Sequence, residues 1–245
     1  MKAMIFAAGM GTRLKPLTDT MPKALVPVGG KPLLAWQLDK LVAAGATNII
    51  VNIHHFADQV EQYLADYVLP EGVCVHISDE RTALLETGGA LKKAAPWLAA
   101  DDGPVLVHNV DILSNVDLKD FYARNRSAGT TLLVSERSTN RYLLFDESGR
   151  LMGWTNTQTG EVRSPYAKER LADCRKYAFS GIQLVSPDLF PLMKGWPERF
   201  SIIDFYLRIC HQVPIYGWAM SGLRLLDVGK QDTLQAAESF AASLV

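Results

Sequence analysis

The chain has 245 residues, 48% of them hydrophobic, enough to bury the core of one large domain or of a domain with a small annex, so a disordered chain is excluded. A formal net charge of -1 gives no bulk attraction to nucleic acid or an anionic membrane, and phosphate recognition must come from locally placed cations. Cys74, Cys174 and Cys210 lack C-x-x-C spacing, which argues against a zinc site or a disulfide framework and for a reducing cytoplasm.

The apolar run at Met4–Ala8 is too short for a signal-peptide core and turns at once to Gly9, and no run elsewhere reaches the roughly 20 residues of a spanning helix. From Lys2 to about Val107, short β-rich runs alternate with helix-period segments, the pattern of βαβ units around a largely parallel sheet. Strands are predicted at Lys2–Ala8, Asn48–Ile53, Val73–Ile77 and Pro104–His108, and helices at Leu33–Ala44 and Ala57–Tyr67. Beyond Asp111 the spacing shortens. Strands at Thr130–Glu136, Arg141–Phe145 and Leu151–Thr155, joined at Ser138–Asn140 and Asp146–Gly149, predict a smaller antiparallel region continuing through Lys176–Val185. A helix at Phe200–His211, strands at Pro214–Met220 and Leu223–Asp227, and a last helix at Thr233–Leu244 complete the reading. With no linker rich in Pro, Gly and Ser and no internal repeat, one domain is expected: a Rossmann-like, mostly parallel sheet over about 1–112, a lid portion over about 113–222, and a return to the core over about 223–245.

The strongest local signal is Ala7-Ala8-Gly9-Met10-Gly11-Thr12-Arg13 at the carboxyl end of the first strand, the edge where open α/β sheets bind ligands. Gly9 and Gly11 suit a loop whose amides approach phosphate oxygens, although a plain βα turn also uses glycines there. Leu14 stands where a dinucleotide fingerprint has its third glycine, Pro16 blocks a smooth run into a helix, and the Lys-Ser/Thr ending of a P-loop is missing. Arg13 can hold two phosphate oxygens in its planar fork, and Lys23, bracketed by Pro22 and Pro27, adds a point charge. Asp111 follows a predicted strand and Asp227 ends one. Either alone could cap a turn; together on that edge they suit a magnesium ion shared with phosphate oxygens.

These residues resemble the amino-terminal signature of the sugar-nucleotide pyrophosphorylase family, a strand followed by G-x-G-T/S-R-L-x-P-L-T and a P-K-x-L-x-P-V run. Further matches are Leu85-Glu86-Thr87-Gly88-Gly89-Ala90, Asn109-Val110-Asp111, Phe179-Ser180-Gly181-Ile182 and Leu226-Asp227-Val228-Gly229, spread over most of the chain in the family's order. The chain departs from the pattern at Ala24, where many relatives have proline, and at Val110, which replaces a common glycine.

The resemblance implies a GT-A-like fold and a magnesium-dependent transfer of a nucleotidyl group from UTP or GTP to a sugar 1-phosphate, releasing pyrophosphate. It resembles N-acetylmuramate 1-phosphate uridylyltransferases most, with mannose 1-phosphate guanylyltransferases close behind and a hexose or heptose 1-phosphate acceptor as a further alternative. It implies nucleotide contacts from Ala7, Ala8, Gly9, Gly11, Thr12, Arg13, Lys23, Glu86, Thr87 and Gly88, catalytic roles for Arg13, Lys23 and Asp111, and Mg2+ at Asp111 and Asp227. Sugar contacts are expected from Asn109, Gly181 and Lys176. Glu161, Arg163 and Lys168 in the lid carry no assigned contact. No nucleic acid or membrane partner is expected, and a homo-oligomer is left open. The five histidines, including His108 near the site, are expected to be structural or surface groups. The competing classes are a non-catalytic nucleotide-sugar-binding regulatory subunit, against which Arg13, Lys23, Asp111 and Asp227 argue, and an NAD-dependent dehydrogenase, against which Leu14 and Pro16 argue.

Overall fold

A computed structural model describes residues 1–99 and 103–244. The strands in chain order are β1 (Lys2–Phe6), β2 (Pro27–Val28), β3 (Lys31–Pro32), β4 (Asn48–Ile53), β5 (Cys74–Asp79), β6 (Val105–Asn109), β7 (Ile112–Ser114), β8 (Thr130–Ser135), β9 (Arg141–Phe145), β10 (Leu151–Asn156), β11 (Val162–Arg163), β12 (Arg175–Val185), β13 (Ile215–Ala219) and β14 (Leu225–Asp227). The helices are α1 (Leu33–Ala43), α2 (Ala57–Asp66), α3 (Glu86–Leu98), α4 (Leu118–Asn125), α5 (Leu189–Leu192), α6 (Ile202–Ile209) and α7 (Leu234–Ala242).

Side chains of β1 alternate between two cores because successive Cβ atoms point to opposite faces of a strand. Ala3 and Ile5 enter one core with α1, α2, α4 and α7, while Met4 and Phe6 enter the other with α3, α5 and α6. Both faces of the sheet are therefore covered. β5, β4, β1 and β6 run parallel in that spatial order, and β12 joins β6 antiparallel.

Beyond β6 the sheet does not end. The long β12 pairs with β6 through Ile182–Val185, with β8 between Ala178 and Leu184, and with β9 through Arg175–Tyr177, so the β9–β10–β11 meander grows from the same ten-stranded sheet. β13, which lies outside the antiparallel run expected over Thr130–Val185, pairs with β8 in parallel. Helices α3 and α4 lie in segments to which the sequence reading gave no bounded element, and β7 pairs with β14 in a separate two-stranded ribbon.

The chain leaves β1 toward β4 on one side and returns through β6 on the other. The carboxyl ends of β1 and β6 therefore flank the point where strand order reverses, the place where an open α/β sheet leaves a crevice. The Ala7–Gly11 loop and Asn109–Asp111 both sit there.

Candidate active site

After β1, the amide of Ala7 donates to Asn52 Oδ1 (2.8 Å), which pins the loop to the end of β4. Gly11 has φ +64°, and a Cβ on it would lie 2.8 Å from Thr18 Cγ2 and 3.1 Å from Lys23 Cβ. Only glycine fits that conformation and that gap. Thr18 closes the turn from its far side by donating to Gly11 O (2.8 Å). Gly9 differs: a Cβ there would meet nothing within 4 Å. The Thr12–Leu14 3-10 turn then carries Arg13 outward.

Lys23 opens another 3-10 turn behind Pro22, and its side chain is only 9% exposed. Its Nζ forms an ion pair with Asp111 Oδ2, at the end of β6. The ribbon of β7 and β14 sets Asp227 opposite Ile112, and Val228 N donates to Asp111 O (2.8 Å), so the two aspartates lie side by side. Burial first, then the neighbouring Asp111 carboxylate, raises the pKa of Asp227 above the usual carboxylate range; Lys23, Arg13 and Arg137 oppose this. Asp227 Oδ1 is buried without a hydrogen-bond partner among the described residues. A Cβ on Gly229 would lie 2.6 Å from Asp227 Oδ1 and 2.8 Å from Arg13 Nη2, which locates the arginine beside the same carboxylate.

Two adjoining cavities open from this centre and share Ser201. The smaller, about 380 Å3, is bounded by Phe6, Ala8, Gly9, Lys23, Asn52, Leu84, Glu86, Thr87, Asn109, Val110 and Asp111. The larger, about 1070 Å3, runs from Arg13 and Asp227 beneath the β9–β10–β11 face. Thus Ala8, Gly9, Lys23, Glu86, Thr87, Asn109 and Asp111 meet at one cavity, with Arg13 and Asp227 next to it. Val110 is 3% exposed, packed in the core while bordering the smaller cavity. Ala7 and Gly181 are buried and Gly11 is half-buried, and none of the three borders either cavity. Gly181 (φ +73°) leaves room for Asn109, whose Nδ2 would lie 2.8 Å from a Cβ. Thr12 is exposed and borders neither cavity.

Two sequence expectations need correction. Gly88 does not line either cavity: its amide donates to Phe200 O (2.9 Å), and a Cβ would overlap the Phe200 ring, so this glycine serves close packing. Lys176 pairs in register with Leu144, whereas Leu143, Trp154 and Arg163 are the in-register set that lines the larger cavity. Cross-strand partners share a face and neighbours in sequence alternate, so Lys176 lies on the face away from the cavity and does not reach a sugar there.

Sequence reading missed a buried relay. Asn52 Nδ2 donates to Glu80 Oε1 (2.8 Å), and Glu80 Oε2 accepts from Leu85 N (3.1 Å), linking the glycine loop to the start of α3. Glu80 is 1% exposed, and burial pushes its pKa up. Neither residue sits in a motif, so only the three-dimensional contact reveals it. Arg137, which lines the larger cavity and donates to Phe179 O (3.1 Å), was also missed.

Among the described residues there is no group of three or more His, Cys, Asp or Glu able to hold a metal. Asp111 and Asp227 suit a hard divalent cation that completes its shell with ligand oxygens and water, and the orphaned Oδ1 of Asp227 is an acceptor in want of such a partner. No helix among these residues is long and apolar enough to cross a membrane.

Residues 2–142 match the family model described as nucleotidyl transferase. The chain is 34% identical over 248 residues to the N-acetylmuramate alpha-1-phosphate uridylyltransferase of Caulobacter vibrioides, covering 97% of this chain and 95% of that protein. It is 35% identical over 248 residues to the mannose-1-phosphate guanyltransferase of Candida albicans, covering 100% of this chain and 66% of that protein. Other fungal guanyltransferases match over 138 to 145 residues, 38 to 40% of their own length. A putative glucose-1-phosphate thymidylyltransferase from Bacillus anthracis shares the fold at a TM-score of 0.77 and 20% identity, covering 98% of this chain and 95% of that one. The chain belongs to the nucleotidyl transferase family.

Proposed function

We propose that this protein transfers a uridylyl group from UTP to N-acetylmuramate 1-phosphate and releases pyrophosphate. The observation that carries the reading is the convergence of Gly9, Arg13, Lys23, Asp111 and Asp227 at one crevice with a cavity on either side. The nearly full-length match to the Caulobacter uridylyltransferase supports the choice of base and sugar. The match to the Candida guanyltransferase keeps GTP and mannose 1-phosphate as the second reading.

In this reading the base and ribose occupy the smaller cavity between Ala8, Gly9 and Glu86–Thr87, and the sugar phosphate lies in the larger one. An oxygen of the sugar phosphate forms a bond to the α-phosphorus in line as the bond to the β-phosphate oxygen breaks, and that oxygen leaves with the electron pair on pyrophosphate. The nucleophile is already an anion, so no side chain has to remove a proton. Lys23 stabilises charge on the α-phosphoryl oxygens, and Arg13, free of the protein core, holds the departing pyrophosphate. Asp111 and Asp227 would hold Mg2+, which when bound supplies a fixed positive charge to screen the reacting anions from each other. Free thiols at Cys74, Cys174 and Cys210 suit a reducing cytoplasm.

The test is pyrophosphate release across UTP, GTP and dTTP with N-acetylmuramate, mannose and glucose 1-phosphates, each with and without magnesium. Turnover only with UTP, the muramate and magnesium is expected. Asp111→Asn and Asp227→Asn should each lower kcat on the order of 10²-fold or more. Unchanged turnover in either variant removes that aspartate from the site.

A further inference from the structure

The larger cavity carries more cationic groups than a triphosphate and one sugar phosphate employ. Arg13 and Arg137 line it together with Asp227, at the transfer centre. At the other end the β9–β10–β11 face presents two in-register rows, Arg141 with Asn156, and Leu143 with Trp154 and Arg163. All five side chains line the cavity.

The two arginines of this face are held differently. Arg163 lies 4.2 Å over the Trp154 ring and is neutralised by Asp204 Oδ1 (2.6 Å) and Glu161 Oε1 (3.6 Å). Arg141 makes no side-chain hydrogen bond or ion pair with any described residue. Its cross-strand neighbour Asn156 uses Oδ1 to accept from Gln158 N (3.0 Å) and Thr159 N (3.4 Å), which fixes the amide and leaves Nδ2 without an acceptor among the described residues. A guanidinium fork and a fixed amide donor, adjacent on one sheet face and both unsatisfied, match the two oxygens of a carboxylate.

We infer that Arg141 and Asn156 bind a carboxylate on the acceptor sugar, apart from the groups that hold its phosphate. This rests on the acidic amino sugar named above: N-acetylmuramate carries a 3-O-lactyl carboxylate two ring carbons from the anomeric phosphate, and a neutral hexose 1-phosphate has no charge to place there. Arg163 and Trp154 form the adjoining wall, already neutral, so the site selects one anion and not two. The pair Arg141–Asn156 is thus a specificity determinant for the acceptor and takes no part in the transfer itself.

Kinetics with UTP separate the possibilities, using N-acetylmuramate 1-phosphate, its lactyl amide, and N-acetylglucosamine 1-phosphate, which lacks the lactyl group. The wild-type protein is expected to prefer the free acid. Arg141→Gln is expected to raise KM for the acid and lower its kcat/KM by about 10–100-fold, while the amide and the neutral sugar change by less than about 3-fold. Asn156→Ala should show the same selectivity with a smaller loss. Melting temperatures check that the variants fold, and the amide ligand tests the claim on the unmodified protein. An Arg141→Gln variant that keeps the wild-type preference, or loses equally on all three acceptors, overturns this inference and leaves the transfer reading intact. A wild-type protein that uses the acid and the neutral sugar alike overturns the acceptor reading and this inference together.

Discussion

Two glycines two residues apart do different work in the phosphate loop. Gly11 is required by its own backbone, since φ is +64° and a Cβ would press on Thr18 and Lys23. Gly9 is required by nothing in the protein, because a Cβ there meets open space. If a polyphosphate lies on the Gly9 amide, Gly9→Ala should keep the melting temperature within about 1 °C and lower kcat/KM for the NTP by about 10²-fold. Gly11→Ala should lose both, because it strains the turn and moves Lys23. Calorimetry beside pyrophosphate release checks the pair; a Gly9→Ala protein with full activity would show that the loop is a simple βα connection. The motif made this site legible: glycines, an arginine and a lysine close in sequence mark a loop directly. Asn52 and Glu80 left no such mark, since their bonds span 45, 28 and 5 residues and each occupies an ordinary strand-end position.

At the scale of elements, most strands and long helices were readable because their apolar period states which face is buried. α3 was not, and its composition explains why. Gly88 and Gly89 open the helix and Pro96 lies inside it, all poor helix formers, so the segment reads as a loop followed by an unclear run. Tertiary contact overrides propensity here. The amides of Gly88 and Gly89 both donate to Phe200 O (2.9 and 3.2 Å), Thr87 Oγ1 accepts from Ile202 N (3.0 Å), and Arg199 Nε binds Glu86 Oε1 (2.9 Å), so the first turn of α3 is docked on the segment leading into α6. Glycine is needed for approach, not for flexibility. Gly88→Ala gains helix propensity but drives a methyl group into the Phe200 ring, and overpacking of this kind costs about 1–3 kcal/mol. At about 2–4 °C per kcal/mol, the melting temperature should fall by several degrees, with KM for the NTP rising because Glu86 and Thr87 border the smaller cavity. A more stable Gly88→Ala protein would show that propensity outweighs packing at this turn. Short elements such as β7 and α4 escaped for a different reason: three or eight residues hold too few periods to stand out, and α4 is fixed by its Asp117 cap accepting from Lys119 N and Asp120 N.

Across the whole molecule, one sheet separates two cores, and polar groups buried at its centre couple stability to pH. His108, the next-to-last residue of β6, is fully buried beside Ile5 and Ile182, on the face covered by α1. Its Nδ1 pairs with Asn109 O (2.7 Å), which assigns the neutral tautomer with the proton on Nδ1, and Nε2 has no partner. Burial, and after it the charge of Lys40, lowers its pKa to about 3. The unfolded chain takes up a proton at an ordinary histidine near pH 6.5, whereas the folded chain refuses it until about pH 3. Between these values the unfolded state binds more protons, so the fold loses stability as pH falls through the window, by about 1.4 kcal/mol per pH unit from this one group once well below 6.5. His108→Gln is uncharged at every pH and retains a donor for the Asn109 carbonyl. Urea unfolding at pH 7.5 and pH 5 should show the wild-type protein losing more stability than the variant over that interval, whatever their relative stability at the higher pH. Equal losses in the two proteins would mean that His108 takes up its proton without unfolding, and that the centre of the sheet is more open to water than its packing indicates.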